Sequence, residues 1–308
     1  MKFEEYMSMP YQEKFRYFMD TRFQTNRTPS YWVDWNNVMK NMREHELNLN
    51  TLNYLVGKKN IFEEAKCLFQ KQPQLLKTVP ILLAAREEKI NVLAFDSNKM
   101  STYILDFAHP DINKLDSYLN FMYESGLLDF LSNDLKESLV DYVFGVQAGL
   151  DSNGRKNRGG KQNEDILENN LKIAKSKNSD LEIGTQATGN YIKINWGVEV
   201  PEPLEKNAKG GRRYDGAVFN KKTGKVTLIE TNFYGSGGSK LKAVAGEFIN
   251  LFNYIKSNSF QKLNFVWISD GPGWDTAKNP MEEAFQVIPN IFNLKMVQAG
   301  YLDEVFKL

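Results

Sequence analysis

Residues 213–240 read RYDGAVFNKKTGKVTLIETNFYGSGGSK. Two runs rich in β-branched and aromatic residues, 214–219 (YDGAVF) and 226–233 (VTLIETNF), flank NKKTGK, which carries the turn residues Asn220 and Gly224. The pattern predicts a β-hairpin. Side chains alternate faces along a strand, so Val226, Leu228, Glu230 and Asn232 share one face while Thr227, Ile229, Thr231 and Phe233 share the other. If Phe219 pairs with Val226 across the turn, counting back in register puts Asp215 directly opposite Glu230. Directly opposed residues lie about 4.5–5.5 Å apart at Cβ, where like charges repel. A hard divalent cation such as Mg²⁺, which takes one or two carboxylates and completes its shell with water and phosphate, offsets that repulsion. The alternatives are a register one residue away, or two acids that simply face solvent.

Composition bounds what surrounds this stretch. The chain has 308 residues, 42% hydrophobic and 25% charged, which is ordinary for a globular protein with a substantial core and excludes disordered and fibrous classes. That length allows two average domains or one large domain with an added lobe. With 39 basic and 38 acidic residues the net charge is +1, so any attraction to nucleic acid must come from local patches. The single cysteine, Cys67, excludes internal disulfides and a cysteine-based zinc cluster, and its place in FEEAKCLF reads as core. His45 and His109 are the only histidines, so a metal site of three imidazoles is excluded and carboxylate chemistry is the leading route. The start, MKFEEYMSMP, lacks a signal-peptide core, and the longest apolar run, VPILLAA at 79–85, is far short of a membrane span. The expectation is a soluble, cytoplasmic protein.

Taken in order, residues 1–140 read as a mainly helical region and 141–308 as a second, α/β region. Residues 1–25 are crowded with aromatics at helical spacing, a packing helix or a partner-contacting arm. TPSYWVDW brings Trp32 and Trp35, read as core anchors with base stacking as the alternative. Helical segments follow to Gly57, through IFEEAKCLF, and over PQLLKTVPILLAAREEK, read as a buried helix. INVLAFDS and STYILDF predict a small hairpin, and helix resumes to Gly149. No internal repeat or low-complexity tract is present.

The composition changes abruptly after 150. Residues 151–161, DSNGRKNRGGK, hold Asn153, Arg155, Lys156, Asn157, Arg158 and Lys161 among three glycines. This reads as a flexible basic loop that could meet phosphates or base edges in the major groove; a solvated interdomain linker is the alternative. The following helix carries Glu164 and Glu168 four apart, either a source of a third carboxylate or a solvated face. LEIGTQATGNYIKINWGVEV reads as strand, and Lys206, Lys209, Arg212 and Arg213 lead into Asp215 and would attract a phosphate backbone. After Asn232 the glycine loop YGSGG opens a helix at Ser239 and Lys240; free amides there, with the Lys240 ammonium, suit an anion. The spacing is not that of a P-loop. KLNFVWISD predicts a buried strand closed by GPGW at 271–274.

The stretches LVDYVFGVQAGLDSNGRKNRGG, RYDGAVFN, IETNFYGSGGSK and FVWISDGPGW followed by AKN resemble type II restriction endonucleases of the DpnII and MboI kind. The likeness is densest over 135–290. It implies an α/β fold with a PD-(D/E)xK restriction-endonuclease-like core, a mixed sheet flanked by helices, behind a mainly helical N-terminal region. It also implies Mg²⁺ dependence, a homodimer, and cleavage of double-stranded DNA at GATC before the G, leaving 5′ overhangs and blocked by adenine methylation. By position, Asp215 and Glu230 match the two metal-binding acids, and Asn232 stands where the wider superfamily usually has lysine. What stabilises the attacking hydroxide is therefore open between Asn232, Lys240 and a second metal. DNA contacts are expected from residues 153–161, from Arg213, Ser239 and Lys240, and from the loop at 271–278. A structure-selective or repair nuclease would use the same acids without sequence preference, and a non-enzymatic DNA-binding protein would bind equally well without a divalent cation.

Overall fold

A computed structural model describes residues 1–96, 99–200, 212–257 and 262–308. The chain divides into two compact units, Pro29–Arg155 and Met1–Thr28 with Lys156–Leu308. Residues 141–155 thus fall in the helical unit and the first 28 residues with the sheet, so the units do not coincide with a division at 140.

The first unit is mainly helical. It contains α3 (Trp35–Leu52), α4 (Ile61–Lys71), the short α5 (Val79–Leu82), the hairpin β1 (Lys89–Asp96) and β2 (Lys99–Asp106), then α6 (Leu115–Glu124), α7 (Leu127–Asp129) and α8 (Leu139–Ser152). Its core gathers Leu49, Phe69, Leu76, Phe107, Tyr118, Leu128 and Val143. Three expectations change here. Trp32 and Trp35 are exposed, Trp35 stacked at the surface on Phe144 and Trp32 lying under the Arg155 guanidinium. Cys67 is exposed because the buried residues of α4, Ala65 and Phe69, are four apart and leave position 67 off that face. The run at 73–82 is a 3₁₀ turn followed by a one-turn helix, since Pro80 removes a helical N–H.

The second unit begins with α1 (Phe3–Ser8) and α2 (Tyr11–Thr21), whose aromatics are packing residues as expected. Tyr6 is fully buried and its hydroxyl donates to the Ile291 carbonyl, while the Phe18 ring meets Phe285 edge-on. The chain then builds α9 (Arg155–Lys177), β3 (Leu181–Thr188), α10 (Gly189–Trp196), β4 (Arg213–Asn220), β5 (Lys225–Phe233), α11 (Ser239–Ser257), β6 (Leu263–Asp270), α12 (Lys278–Val287), β7 (Ile291–Phe292), α13 (Leu294–Gln298) and α14 (Tyr301–Val305). The five strands form one mixed sheet in the order β3-β4-β5-β6-β7. β3, β4 and β5 are antiparallel, whereas β5, β6 and β7 are parallel, their crossovers made by α11 and α12 as parallel pairing requires.

Helices cover both faces. Leu167 and Leu171 of α9 lie against Gly216, where the missing Cβ admits them, and Phe248 of α11 meets Phe265 and Trp267 on the other face. The basic stretch at 155–161 is not a loop: it forms the first turns of α9. Asn163, Leu167, Leu171 and Ala174 are buried along one side of that helix, and Asn26 donates to the Gly159 carbonyl and to Asn163 Oδ1. Burial and these tethers outweigh the intrinsic cost of two consecutive glycines in a helix. The stretch at 181–200 is likewise only half strand, because Thr188 caps α10 through the Tyr191 N–H.

Candidate active site

The hairpin register is the one the alternation dictates. β4 and β5 pair from Asn220↔Lys225 through Phe219↔Val226 to Gly216↔Ile229, which makes Asp215 and Glu230 the next opposed pair. Gly224, at a φ of 68°, allows the turn. The two carboxyls stand on neighbouring strands on one face of the sheet. Asp215 Oδ2 also accepts the Thr231 N–H at 2.8 Å, and Oδ1 accepts the Gln186 Nε2 amide at 3.3 Å. Burial is the main reason both carboxyls titrate high, Asp215 above its ordinary value and Glu230 up to about 7. For Glu230 the Arg212 charge works against the rise and the Asp215 charge adds to it.

Among the described residues, Arg212 is the cation paired with Glu230. Its Nε and Nη2 reach Glu230 Oε1 at 3.0 and 2.8 Å, and its Nη1 reaches Glu247 Oε1 on α11 at 2.6 Å. The guanidinium also packs against the Tyr214 and Phe248 rings. Burial opposes its charge, but Glu230 and Glu247 outweigh that and hold it protonated. Tyr234 lies near the same acids: burial first, then Glu247 and Glu230, pushes its hydroxyl up to about 12.

Asn232 sits on the Glu230 face, half-buried, and its Oδ1 accepts the Trp267 indole N–H at 2.6 Å. It is thereby tied to the core and carries no charge. Lys240 and Ser239 are exposed in the first turn of α11, where the Leu241 N–H is already bonded to the Gly238 carbonyl. Arg213 is exposed at the start of β4.

The other nominated residues are distributed between the two units. Lys156, Asn157, Arg158 and Lys161 belong to α9 in the sheet unit, whereas Asn153 and Arg155 belong to the helical unit, where Arg155 Nε donates to the Trp32 carbonyl. Glu164 feels the Asp215 charge, which after burial is the next cause of its raised titration. Glu168 is paired with Lys172 along the helix surface. Among the described residues no group of three or more His, Cys, Asp and Glu side chains is gathered to hold a metal, so α9 does not complete a three-acid set. Lys206 and Lys209 lie outside the described residues.

Sequence reasoning missed Gln186, Glu247 and Tyr234. Gln186 could have been found by extending the face alternation to a third strand once β3 was known to pair with β4. Glu247 carried no signal, because nothing local tells which side of α11 meets the sheet.

Two adjacent acids, one buried and one half-buried, on a mixed sheet are compatible with several activities, and comparison with known proteins separates them. The DpnII restriction endonuclease family model matches residues 14–304. The chain belongs to that family. It is similar to the type II restriction enzyme LlaDCHI of Lactococcus lactis subsp. cremoris, 47% identical over 309 residues, covering 100% of this chain and 99% of that enzyme. The type II restriction enzyme MjaIII of Methanocaldococcus jannaschii is 41% identical over 294 residues, covering 94% and 98%. The type II restriction enzyme MboI of Moraxella bovis is 32% identical over 288 residues, covering 94% of each. No solved structure gives a significant match. As a type II restriction enzyme the chain is a site-specific deoxyribonuclease, and its substrate is DNA. Among the described residues no helix is long and apolar enough to cross a membrane.

Proposed function

We propose that this DpnII-family enzyme uses a PD-(D/E)xK-type core to hydrolyse double-stranded DNA at a short palindrome, GATC cut before the G, with Asp215 and Glu230 as the ligands of Mg²⁺. The observation that carries the reading is the adjacency of these two carboxyls, Glu230 buried and Asp215 half-buried, on one face of the sheet, both raised mainly by burial. That donor set suits Mg²⁺, which usually binds through one or two carboxylates plus substrate phosphate. When bound, the ion supplies Lewis-acid stabilisation of the phosphate and lowers the pKa of water for in-line attack.

The chain's own groups do the rest. The Thr231 N–H and the Gln186 amide fix the Asp215 oxygens, and Arg212 fixes one Glu230 oxygen while bringing a permanent positive charge to the centre. Arg212, not Asn232, therefore takes the electrostatic part of the usual lysine, because the Asn232 carbonyl is committed to Trp267. Ser239 and Lys240 at the start of α11 face a phosphate neighbouring the scissile one. Lys156, Asn157, Arg158 and Lys161 on α9, and Arg213 at the head of β4, position the duplex; Asn153 and Arg155 are further candidate DNA contacts. A homodimer presents two such sets, one to each half of a palindrome.

Digestion of methylated and unmethylated plasmid with Mg²⁺, followed by end sequencing, tests the reading. Sharp fragments beginning GATC, from unmethylated DNA only, are expected. A uniform smear rejects it.

A further inference from the structure

Gln186 has a φ of 50°, and only Ala84 joins it among the described non-glycine residues with positive φ. A residue with a Cβ is disfavoured in that left-handed region, and such outliers persist where the surroundings over-determine them. Gln186 lies inside a strand. The β3–β4 ladder runs from Leu181↔Asn220 to Thr185↔Gly216 and resumes at Ala187↔Tyr214, passing over one position. That position is Gln186 facing Asp215. The chain thus holds an unfavourable backbone conformation where one side chain meets a carboxyl of the cleavage centre, and that side chain donates its amide to Asp215 Oδ1.

We propose that Gln186 is a positioning residue for DNA cleavage: its left-handed backbone aims a neutral amide at Asp215 and holds that carboxyl toward Glu230. This rests on the reading of Asp215 and Glu230 as the cation ligands. Thr231 restrains one oxygen from β5 through its N–H, and Gln186 restrains the other from β3, so the carboxyl is gripped from both neighbouring strands. The donor has to be uncharged. An ammonium or guanidinium at 186 would compete with the divalent cation for Asp215, and a carboxylate would add a third repelling charge, whereas an amide orients the ligand and leaves its charge available. Arg212 does not duplicate this role, since its hydrogen bonds go to Glu230 and Glu247.

The backbone strain and the amide can be separated by substitution. Gln186→Gly removes both the amide and the Cβ; Gln186→Ala removes the amide and keeps the Cβ. Each variant, with Asp215→Asn beside them, is measured on the full chain for Mn²⁺ affinity by electron paramagnetic resonance without DNA, for thermal midpoint in chelator, and for single-turnover cleavage. Both Gln186 variants should bind Mn²⁺ and cleave roughly 10- to 100-fold less well, as loss of an outer-shell partner does. Only Gln186→Gly should melt higher than wild type, by about 2–4 °C, since it alone relieves the strain. A Gln186→Gly protein that melts lower, or Gln186 variants that bind Mn²⁺ like wild type while Asp215→Asn does not, overturns the positioning role and leaves the two-acid centre standing. If Asp215→Asn also binds Mn²⁺ normally, the two-acid reading itself fails and takes this role with it.

Discussion

Two neighbouring strands each carry a buried acid near their C-terminal ends, and the contrast between them separates a structural carboxylate from the one proposed to be catalytic. Asp270 on β6 is fully buried, and its oxygens accept three backbone N–H groups: Phe23 and Gly271 on Oδ1 at 2.8 and 2.6 Å, and Leu294 on Oδ2 at 2.8 Å. Arg22 lies beside it and ties the Gly271 carbonyl to Asp275. Every partner there comes from the chain. On β5, Glu230 faces another acid, and the single guanidinium of Arg212 is shared with Glu247. Burial raises both Asp270 and Glu230, so a raised pKa does not by itself mark a functional site; the two differ in that Glu230 lies beside a second acid, Asp215, whose charge adds to the rise.

The strongest way to break the comparison is to remove one acid from the opposed pair. If Asp215 holds the cation as proposed, Asp215→Asn should lower single-turnover cleavage by at least about a thousandfold, since it removes a ligand of the group supplying several kcal/mol of transition-state stabilisation. In chelator the same variant should melt higher than wild type, because the opposed carboxyls no longer repel. Differential scanning calorimetry and quench-flow kinetics report both. An inactive variant that melts much lower would make Asp215 a structural acid like Asp270.

Next in size is Arg212→Ala, which removes the cation that, among the described residues, pairs with the mostly buried Glu230. Breaking a buried pair from one side costs about 3–5 kcal/mol, and the residual exposure of Arg212 places this case toward the lower end. Urea unfolding should show that loss in chelator and recover part of it when Mg²⁺ is added. An unaltered unfolding midpoint would mean that the guanidinium contributes nothing to holding the centre.

Asp270→Asn should do the reverse of Asp215→Asn, lowering stability by about 1–3 kcal/mol for a backbone N–H left facing an amide, with cleavage per folded molecule retained. Its pH dependence has a definite sign. Burial lifts the folded-state carboxyl from 3.8 to about 6, so the folded chain holds the proton across that window. The contribution is complete below the window and is lost as pH rises through about 6, on the order of 3 kcal/mol at most. The advantage of wild type over Asp270→Asn, measured by unfolding, should therefore be largest near pH 4 and shrink toward neutrality. A gap that widens with pH would show the three N–H donors outweighing burial.

The hairpin was legible because alternation and a turn glycine are local signals: register followed from Phe219 and Val226, and the opposed acids followed from register. The crossover helix after the glycine loop and the buried strand at 263–270 were legible for the same reason. What escaped depended on distant packing. The basic segment at 155–161 has the composition of a loop, and its helix is held by Asn26 and by burial of a face that begins only at Asn163. The aromatics at 32 and 35 looked like core by type, and no local pattern reveals that a tryptophan stays outside. Gln186 escaped because its strained conformation follows from the strand beside it.

The smallest expected effect concerns Lys240, and it decides which cation serves the opposed acids. The side chain is exposed in the first turn of α11, whereas Arg212 is held by two acids and two aromatic rings inside the centre. If Lys240 meets only a phosphate, Lys240→Ala should weaken DNA binding by a similar factor on every sequence and flatten the dependence of log affinity on log salt by about 0.9. Cleavage at saturating DNA should then fall less than about tenfold, because a surface phosphate contact holds ground state and transition state alike. If Lys240 instead reaches the scissile phosphate, the saturating rate should drop by about 10²–10³ with affinity barely altered, the signature of a lost transition-state donor. Fluorescence anisotropy over a salt series, paired with single-turnover cleavage, separates the two. The geometry favours the first outcome, since among the described residues it is Arg212 whose charge is already bonded to Glu230.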